Sequence, residues 1–146
     1  MDSESTSMKT IEHISATIRL RENGIVFFKL KEDAVVDLEE AKEIYNITMA
    51  LTRGEKYSSL VDARATISLS KEAREWSAKP ELHINLIAQA IIVSSLANRI
   101  IANFIIKFNR AKAPMRLFST EEKALEWLND QIEIAKEKEL VGDKAM

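Results

Sequence analysis

The sequence predicts an α/β domain with an N-terminal β-hairpin followed by βα units, giving a five-stranded, mixed but mostly parallel sheet with about four helices. Three observations indicate this fold. Alternating apolar residues flank Asn23-Gly24, strand-like and helix-like segments alternate after them, and the run from Ile84 to Asn129 has the order strand, helix, strand, helix. The chain has 146 residues, 46% of them hydrophobic, which suits one domain with its own core. We expect a disordered tail at 1–11, the domain at 12–138 and a frayed tail at 139–146.

The predicted hairpin rests on a period of two in the first strand. Its apolar face consists of Ile14, Ala16, Ile18 and Leu20. A second strand covers Ile25 to Leu30. Asn23-Gly24 between the two strands predicts a type I′ turn, because Asn and Gly both tolerate the positive φ that this turn requires.

Two βα units are expected next. Asp37 can cap a helix that ends at Arg53-Gly54, since an Asp side chain accepts hydrogen bonds from the first turn and glycine suits a helix C-terminus. A short strand is predicted from Tyr57 to Asp62. Ser70 can cap a second, short helix that closes before Pro80.

The last run carries two more predicted strands and two more helices. Leu86–Val93 is nearly continuously apolar, which is typical of a strand covered on both faces of a parallel sheet. The helix after it has an apolar stripe of Leu96, Ala97, Ile100, Ile101, Phe104, Ile105 and Phe108. Met115–Phe118 predicts the final strand, and Ser119 and Glu122 have the spacing of a capping box. The core face of the last helix is predicted at Leu125, Leu128, Ile132 and Ala135.

Composition and spacing argue against several kinds of site. The formal net charge of −2 gives no basic footprint for nucleic acid, and the absence of Cys removes thiolate chemistry. His13 and His83, the two histidines, have no metal-site spacing, and the three glycines are isolated. We therefore expect no catalytic residue, cofactor or metal, no nucleic-acid partner and no membrane span. The polar N-terminus lacks a signal-peptide layout, which predicts a cytoplasmic location.

The strongest resemblance is carried by FSTEEKALEWL at residues 118–128, a strand followed by a capped helix. With the order of elements over about residues 12–135, it resembles the STAS-like family. More narrowly, it looks like the stand-alone bacterial members related to anti-sigma-factor antagonists. The resemblance implies a STAS-like fold and a regulatory, non-enzymatic module that acts through protein contacts.

In switch-type members of that family, a Ser or Thr just after the third strand is phosphorylated by a partner kinase. Asp62 matches the acidic position that closes the strand, but Ala63 and Arg64 stand where the hydroxyl is expected, which argues against a phospho-switch. Ligands of parallel sheets gather at the carboxyl ends of strands. The candidate interaction surface there comprises Asp62, Arg64, Thr66, Ser68, Ser70 and Trp76. A polar loop that merely caps the second helix is the structural alternative.

Other functions stay open at this point. A carrier of a small apolar ligand or lipid is the alternative to the protein-interaction module, and an enzyme of unknown class is the second alternative, although no motif supports it. Phe104, Ile106 and Phe108 are candidates for apolar ligand or dimer contacts. Each such side chain buried at an interface contributes about 1.5–3 kcal/mol, so we also expect a homodimer. The sequence does not identify a protein partner.

Overall fold

The computed structural model describes residues 9–65, 67–95 and 113–145, with side chains through residue 142. The strands are β1 Thr10–Glu12, β2 Ala16–Leu20, β3 Ile25–Leu30, β4 Val35–Val36, β5 Tyr57–Asp62, β6 Ser68–Leu69, β7 Leu86–Ile92 and β8 Met115–Phe118. The α-helices in these ranges are α1 Leu38–Thr52, α2 Lys71–Ser77 and α3 Glu121–Ala145. Short 3-10 helices cover Glu22–Gly24 and Pro80–His83.

Six strands form the main sheet in the order β1-β2-β3-β5-β7-β8. β1, β2 and β3 are antiparallel neighbours, whereas β3, β5, β7 and β8 run parallel. β4 and β6 form a separate pair. The predicted α/β fold with a mixed, mostly parallel sheet is confirmed, and the sheet has one strand more than the five expected. The predicted helix that carries Phe104, Ile106 and Phe108 falls within 96–112, outside the described residues.

The predicted hairpin is formed by β2 and β3. Asn23 and Gly24 have φ angles of 62° and 68°, so both adopt the left-handed conformation, which glycine reaches without a Cβ clash and Asn tolerates better than most residues. The connection is longer than a two-residue type I′ turn: the Arg21 N–H donates to Ile25 O at 2.7 Å, and Glu22–Gly24 lies between them.

The chain before β2 differs from the sequence prediction. β1 begins at Thr10, inside the segment 1–11 expected to be a tail, and Ile11 pairs with Ile18. Between the strands, the His13 N–H donates to Ala16 O at 2.9 Å. This turn takes Ile14 out of the sheet, and its side chain is 77% exposed. The predicted place of Ile14 on the buried face is therefore wrong.

The predicted caps of α1 and α2 are confirmed. Asp37 Oδ1 accepts from the Glu40 N–H at 2.9 Å, and Ser70 Oγ accepts from the Ala73 N–H at 3.0 Å. Each bond satisfies a backbone donor that has no partner inside the helix.

α3 begins one residue later than the capping-box pattern indicates. Thr120 Oγ1, not Ser119, accepts from the Lys123 N–H at 3.3 Å. Adjacent hydroxyls at 119 and 120 offer the same chemistry, which is why spacing alone selected the wrong one. The helix continues to Ala145, through the segment expected to fray.

Two buried clusters lie on opposite faces of the main sheet. α3 covers one face, where the buried residues are Ile25, Leu60, Ala88, Ala90, Ile92, Ala124, Leu128 and Ile132. α1 covers the other, where they are Ala16, Ile18, Val26, Leu51, Tyr57 and Leu86. Because successive strand residues point to opposite faces, Leu60 faces α3 while its neighbours Ser59 and Val61 face the α1 side.

Candidate functional site

Asp62 and Arg64 form a closed ion pair at the carboxyl end of β5. Arg64 Nε donates to Asp62 Oδ1 at 2.9 Å and Nη2 donates to Oδ2 at 2.8 Å. The Arg64 backbone N–H also donates to Oδ1, at 3.2 Å. Asp62 is only 5% exposed, whereas the Arg64 side chain is 46% exposed. The pair therefore presents a fixed guanidinium, and not a carboxylate, to solvent.

The electrostatics of this pair favour the charged form of both groups. Hydrogen bonds from Arg64 lower the pKa of Asp62 against the opposing effect of burial. The same contacts, with a smaller contribution from Glu121, raise the pKa of Arg64. Since both Asp62 oxygens already accept hydrogen bonds, this carboxylate is poorly suited to take a proton from a substrate.

Ser68 and Ser70 of the predicted surface make hydrogen bonds that stabilise secondary structure. The Ser68 N–H donates to Ala34 O at 2.9 Å and the Ser70 N–H donates to Val36 O at 3.0 Å, which joins β6 to β4. The Ser70 hydroxyl is occupied as the cap of α2. Thr66 lies outside the described residues.

Trp76 lies on the other side of the sheet from the Asp62 side chain. Its ring meets that of Tyr45 edge to face, with centroids 5.6 Å apart and an interplanar angle of 89°. It packs against Val36, Ala41 and Ala73 between α1 and α2. The six residues predicted as one surface are therefore divided: Asp62 and Arg64 belong to the α3 side, and Trp76 belongs to the α1 side.

A groove of about 240 Å³ lies on the α1 side of the sheet, and we call it the α1–α2 groove. Its floor consists of Phe28, Leu30, Tyr57, Ser59, Val61 and Gln89 from β3, β5 and β7. Its walls consist of Ala41, Ile44, Tyr45, Thr48, Trp76, Ser77, Leu82 and His83. None of these described lining residues is Lys, Arg, Asp or Glu. Of these residues, only Trp76 was predicted from the sequence to belong to a site.

Ser59 and Gln89 place polar groups in the groove floor. They are register partners on the neighbouring parallel strands β5 and β7. Gln89 was visible in the sequence as the single polar residue of an apolar run, but its face and its neighbours depend on strand pairing. Burial raises the pKa of nearby Tyr57 to about 12, so its hydroxyl stays protonated and able to donate.

The two histidines have separate structural contacts. His13 Nε2 lies 2.8 Å from Glu43 Oε1, and His83 Nε2 lies 2.6 Å from Ser77 O. His83 Nδ1 is enclosed and has no hydrogen-bond partner within the described residues. In the three described ranges, no group of three or more His, Asp or Glu side chains is arranged to hold a metal ion. None of the helices in those ranges has the length and apolar character needed to cross a membrane.

The sheet order and the helix placement define an α/β module of STAS-like fold. A solved structure is similar to it: an uncharacterised protein of the DUF3478 family with a SpoIIAA-like fold, from Shewanella loihica PV-4. The TM-score is 0.56 and the identity 16%, over 83% of this chain and 91% of that chain. At this identity the likeness shows the fold alone, and it confirms the predicted STAS-like architecture.

The chain belongs to the family described as a domain of unknown function, DUF7793, whose profile matches residues 18–132. No curated protein matches it. The narrower grouping with anti-sigma-factor antagonists stays a prediction.

Proposed function

We propose that this chain is a non-enzymatic binding module that takes a small, neutral and mainly apolar ligand in the α1–α2 groove. The observation that carries the proposal is the groove itself, about 240 Å³ between the sheet and two helices, with no ionic side chain among its described lining residues. Sites for small molecules are typically concave and apolar with a few polar groups that fix orientation. Ser59, Gln89 and the Tyr57 hydroxyl are such groups.

The volume limits the size of the ligand. An apolar cavity of roughly 150 Å³ accommodates a benzene molecule. A volume of about 240 Å³ therefore suits a single ring with a short substituent better than a long acyl chain. The binding free energy of so small a ligand is limited by its few atoms, so we expect affinity well short of nanomolar.

Native mass spectrometry of the protein purified gently from its own host tests the proposal. We expect a non-covalent adduct of low mass that disappears on denaturation. Val61→Phe should remove the adduct, because the added ring projects from the groove floor, while the same substitution at exposed Val35, which is not a lining residue, should retain it. Bare polypeptide in spectra recorded after small molecules extracted from the host are added back, or an adduct unaffected by Val61→Phe, would count against the groove.

A protein-interaction function is the second candidate, and the fixed Arg64 guanidinium supports it. An ion pair that pre-orders an exposed arginine reduces the side-chain entropy lost on binding. Arg64→Ala should then abolish capture of a host protein that Lys136→Ala, an exposed change on α3, leaves intact. Equal capture by the two variants would argue against this surface. Light scattering on the same samples tests the homodimer that is expected from the sequence.

An enzymatic function has the least support. Both Asp62 oxygens accept hydrogen bonds from Arg64, which favours a structural role for the one buried carboxylate at this strand end. Reproducible turnover lost in Asp62→Asn would reverse this view.

A further inference from the structure

We propose that Ser59 and Gln89 together recognise the polar end of the ligand, and that this end is a neutral group that both donates and accepts hydrogen bonds, such as a primary carboxamide. This inference rests on the proposed function and names the ligand class for the same groove.

The first support is the position of the two side chains. Ser59 and Gln89 are paired in register on β5 and β7, and both line the groove floor. Ser59 is 4% exposed, and within the described residues no hydrogen bond joins either side chain to another group. Enclosing two such polar side chains between apolar neighbours lowers the stability of the fold unless a ligand or water completes their hydrogen bonds.

The second support is the chemistry of the pair. A glutamine carboxamide presents a carbonyl acceptor and an amino donor in one plane, and a serine hydroxyl can act in either role. A ligand carboxamide has the complementary edge, so it can exchange two hydrogen bonds with Gln89 while Ser59 takes a third. A simple ketone offers an acceptor only and leaves the Gln89 carbonyl unpaired.

The third support is the neutral surroundings. Apart from His83, the described lining residues that carry a titratable group are Tyr45 and Tyr57, and burial raises the pKa of Tyr57 to about 12. The described lining residues include no Lys or Arg, and His83 Nε2 already lies 2.6 Å from Ser77 O. An ionised carboxylate would therefore lose its hydration without meeting a permanent positive charge among these residues, which disfavours its entry. A neutral amide avoids this penalty.

Benzamide and acetophenone are suitable probes, because they differ only in an amide NH2 replaced by a methyl group. Binding can be followed by the NMR signal of the Trp76 indole N–H in a Trp127→Phe background, which leaves one tryptophan. We expect benzamide to bind about threefold to tenfold more tightly than acetophenone, the ratio that one or two net hydrogen bonds supply. Gln89→Leu should make acetophenone the tighter ligand. Ser59→Ala should reduce the difference in affinity between the two probes.

The outcomes separate this inference from the proposed function. If acetophenone binds and benzamide is no tighter, or if Gln89→Leu keeps the preference for benzamide, recognition by the polar pair is wrong while the groove remains a binding site. If neither probe shifts the Trp76 signal up to its solubility limit, both the inference and the proposed function are contradicted. A urea-unfolding midpoint close to that of the parent protein serves as the check that Gln89→Leu keeps its fold.

Discussion

Trp76 meets Tyr45 edge to face with centroids 5.6 Å apart, and this contact joins α2 to α1 along the wall of the α1–α2 groove. Edge-to-face geometry places the positive ring edge against the negative face, which adds about 0.5–1.5 kcal/mol beyond area burial. The same two side chains therefore stabilise the helix pair and shape the groove.

Trp76→Ala should lower the free energy of unfolding by about 2–3 kcal/mol, because it removes the ring contact and the packing against Val36 and Ala73. Trp76→Phe keeps a ring at the position and should cost less than half as much. Urea unfolding followed by the fluorescence of Trp127, on the α3 side, measures both variants. A loss below 0.5 kcal/mol for Trp76→Ala would show that the contact does not hold α2 in place.

Arg64→Ala should lower the free energy of unfolding by about 1–2 kcal/mol at neutral pH, because the buried Asp62 carboxylate loses its charged donors. Lys136→Ala disrupts only an exposed pair with Glu133 and should change stability by less than about 0.5 kcal/mol. Equal effects of the two substitutions would mean that the Asp62–Arg64 pair adds no stability.

The contribution of the Asp62–Arg64 pair to the free energy of unfolding should also depend on pH. The pKa of Asp62 is lower in the folded protein than its ordinary value, so the ionised pair stabilises the fold fully above about pH 4. That stability is lost as the pH falls through the folded pKa. Urea titrations between about pH 6 and pH 2 should show the difference between the parent and Arg64→Ala shrinking toward acid. A constant difference would contradict the assigned cause.

Leu128→Ala should lower the free energy of unfolding by about 2–5 kcal/mol, because Leu128 is fully buried between α3 and the sheet. Leu140→Ala on the same helix removes a 61% exposed side chain and should have an effect within about 0.5 kcal/mol. Chemical denaturation of the two variants checks this. Comparable losses would mean that α3 does not pack as described.

Local features were predictable from the sequence, and features made by strand pairing were not. Asp37 and Ser70 could be recognised as caps because the groups they bond lie three residues away in the chain. Ser119 was chosen in place of Thr120 because both hydroxyls satisfy the same pattern. β1 was missed because a three-residue edge strand has too little pattern, and Ile14 was misplaced because a turn interrupts the period.

In the candidate site, too, local features could be predicted from the sequence and contacts between distant residues could not. The sequence placed Asp62 correctly at the end of β5, but it could not show that Arg64 occupies both carboxylate oxygens. It also could not show that Ser59 and Gln89 meet, since their proximity exists only through the pairing of β5 with β7. The proposed contacts of Phe104, Ile106 and Phe108, and the homodimer, remain predictions.

The most direct test of the binding function is a titration of the Trp127→Phe protein with acetophenone, observed at the Trp76 indole N–H. The groove predicts a saturable shift that persists in Val35→Phe and weakens by about tenfold or more in Val61→Phe, where the added ring occupies the ligand space. No saturable shift, or the same affinity in Val61→Phe, would contradict ligand binding in the α1–α2 groove.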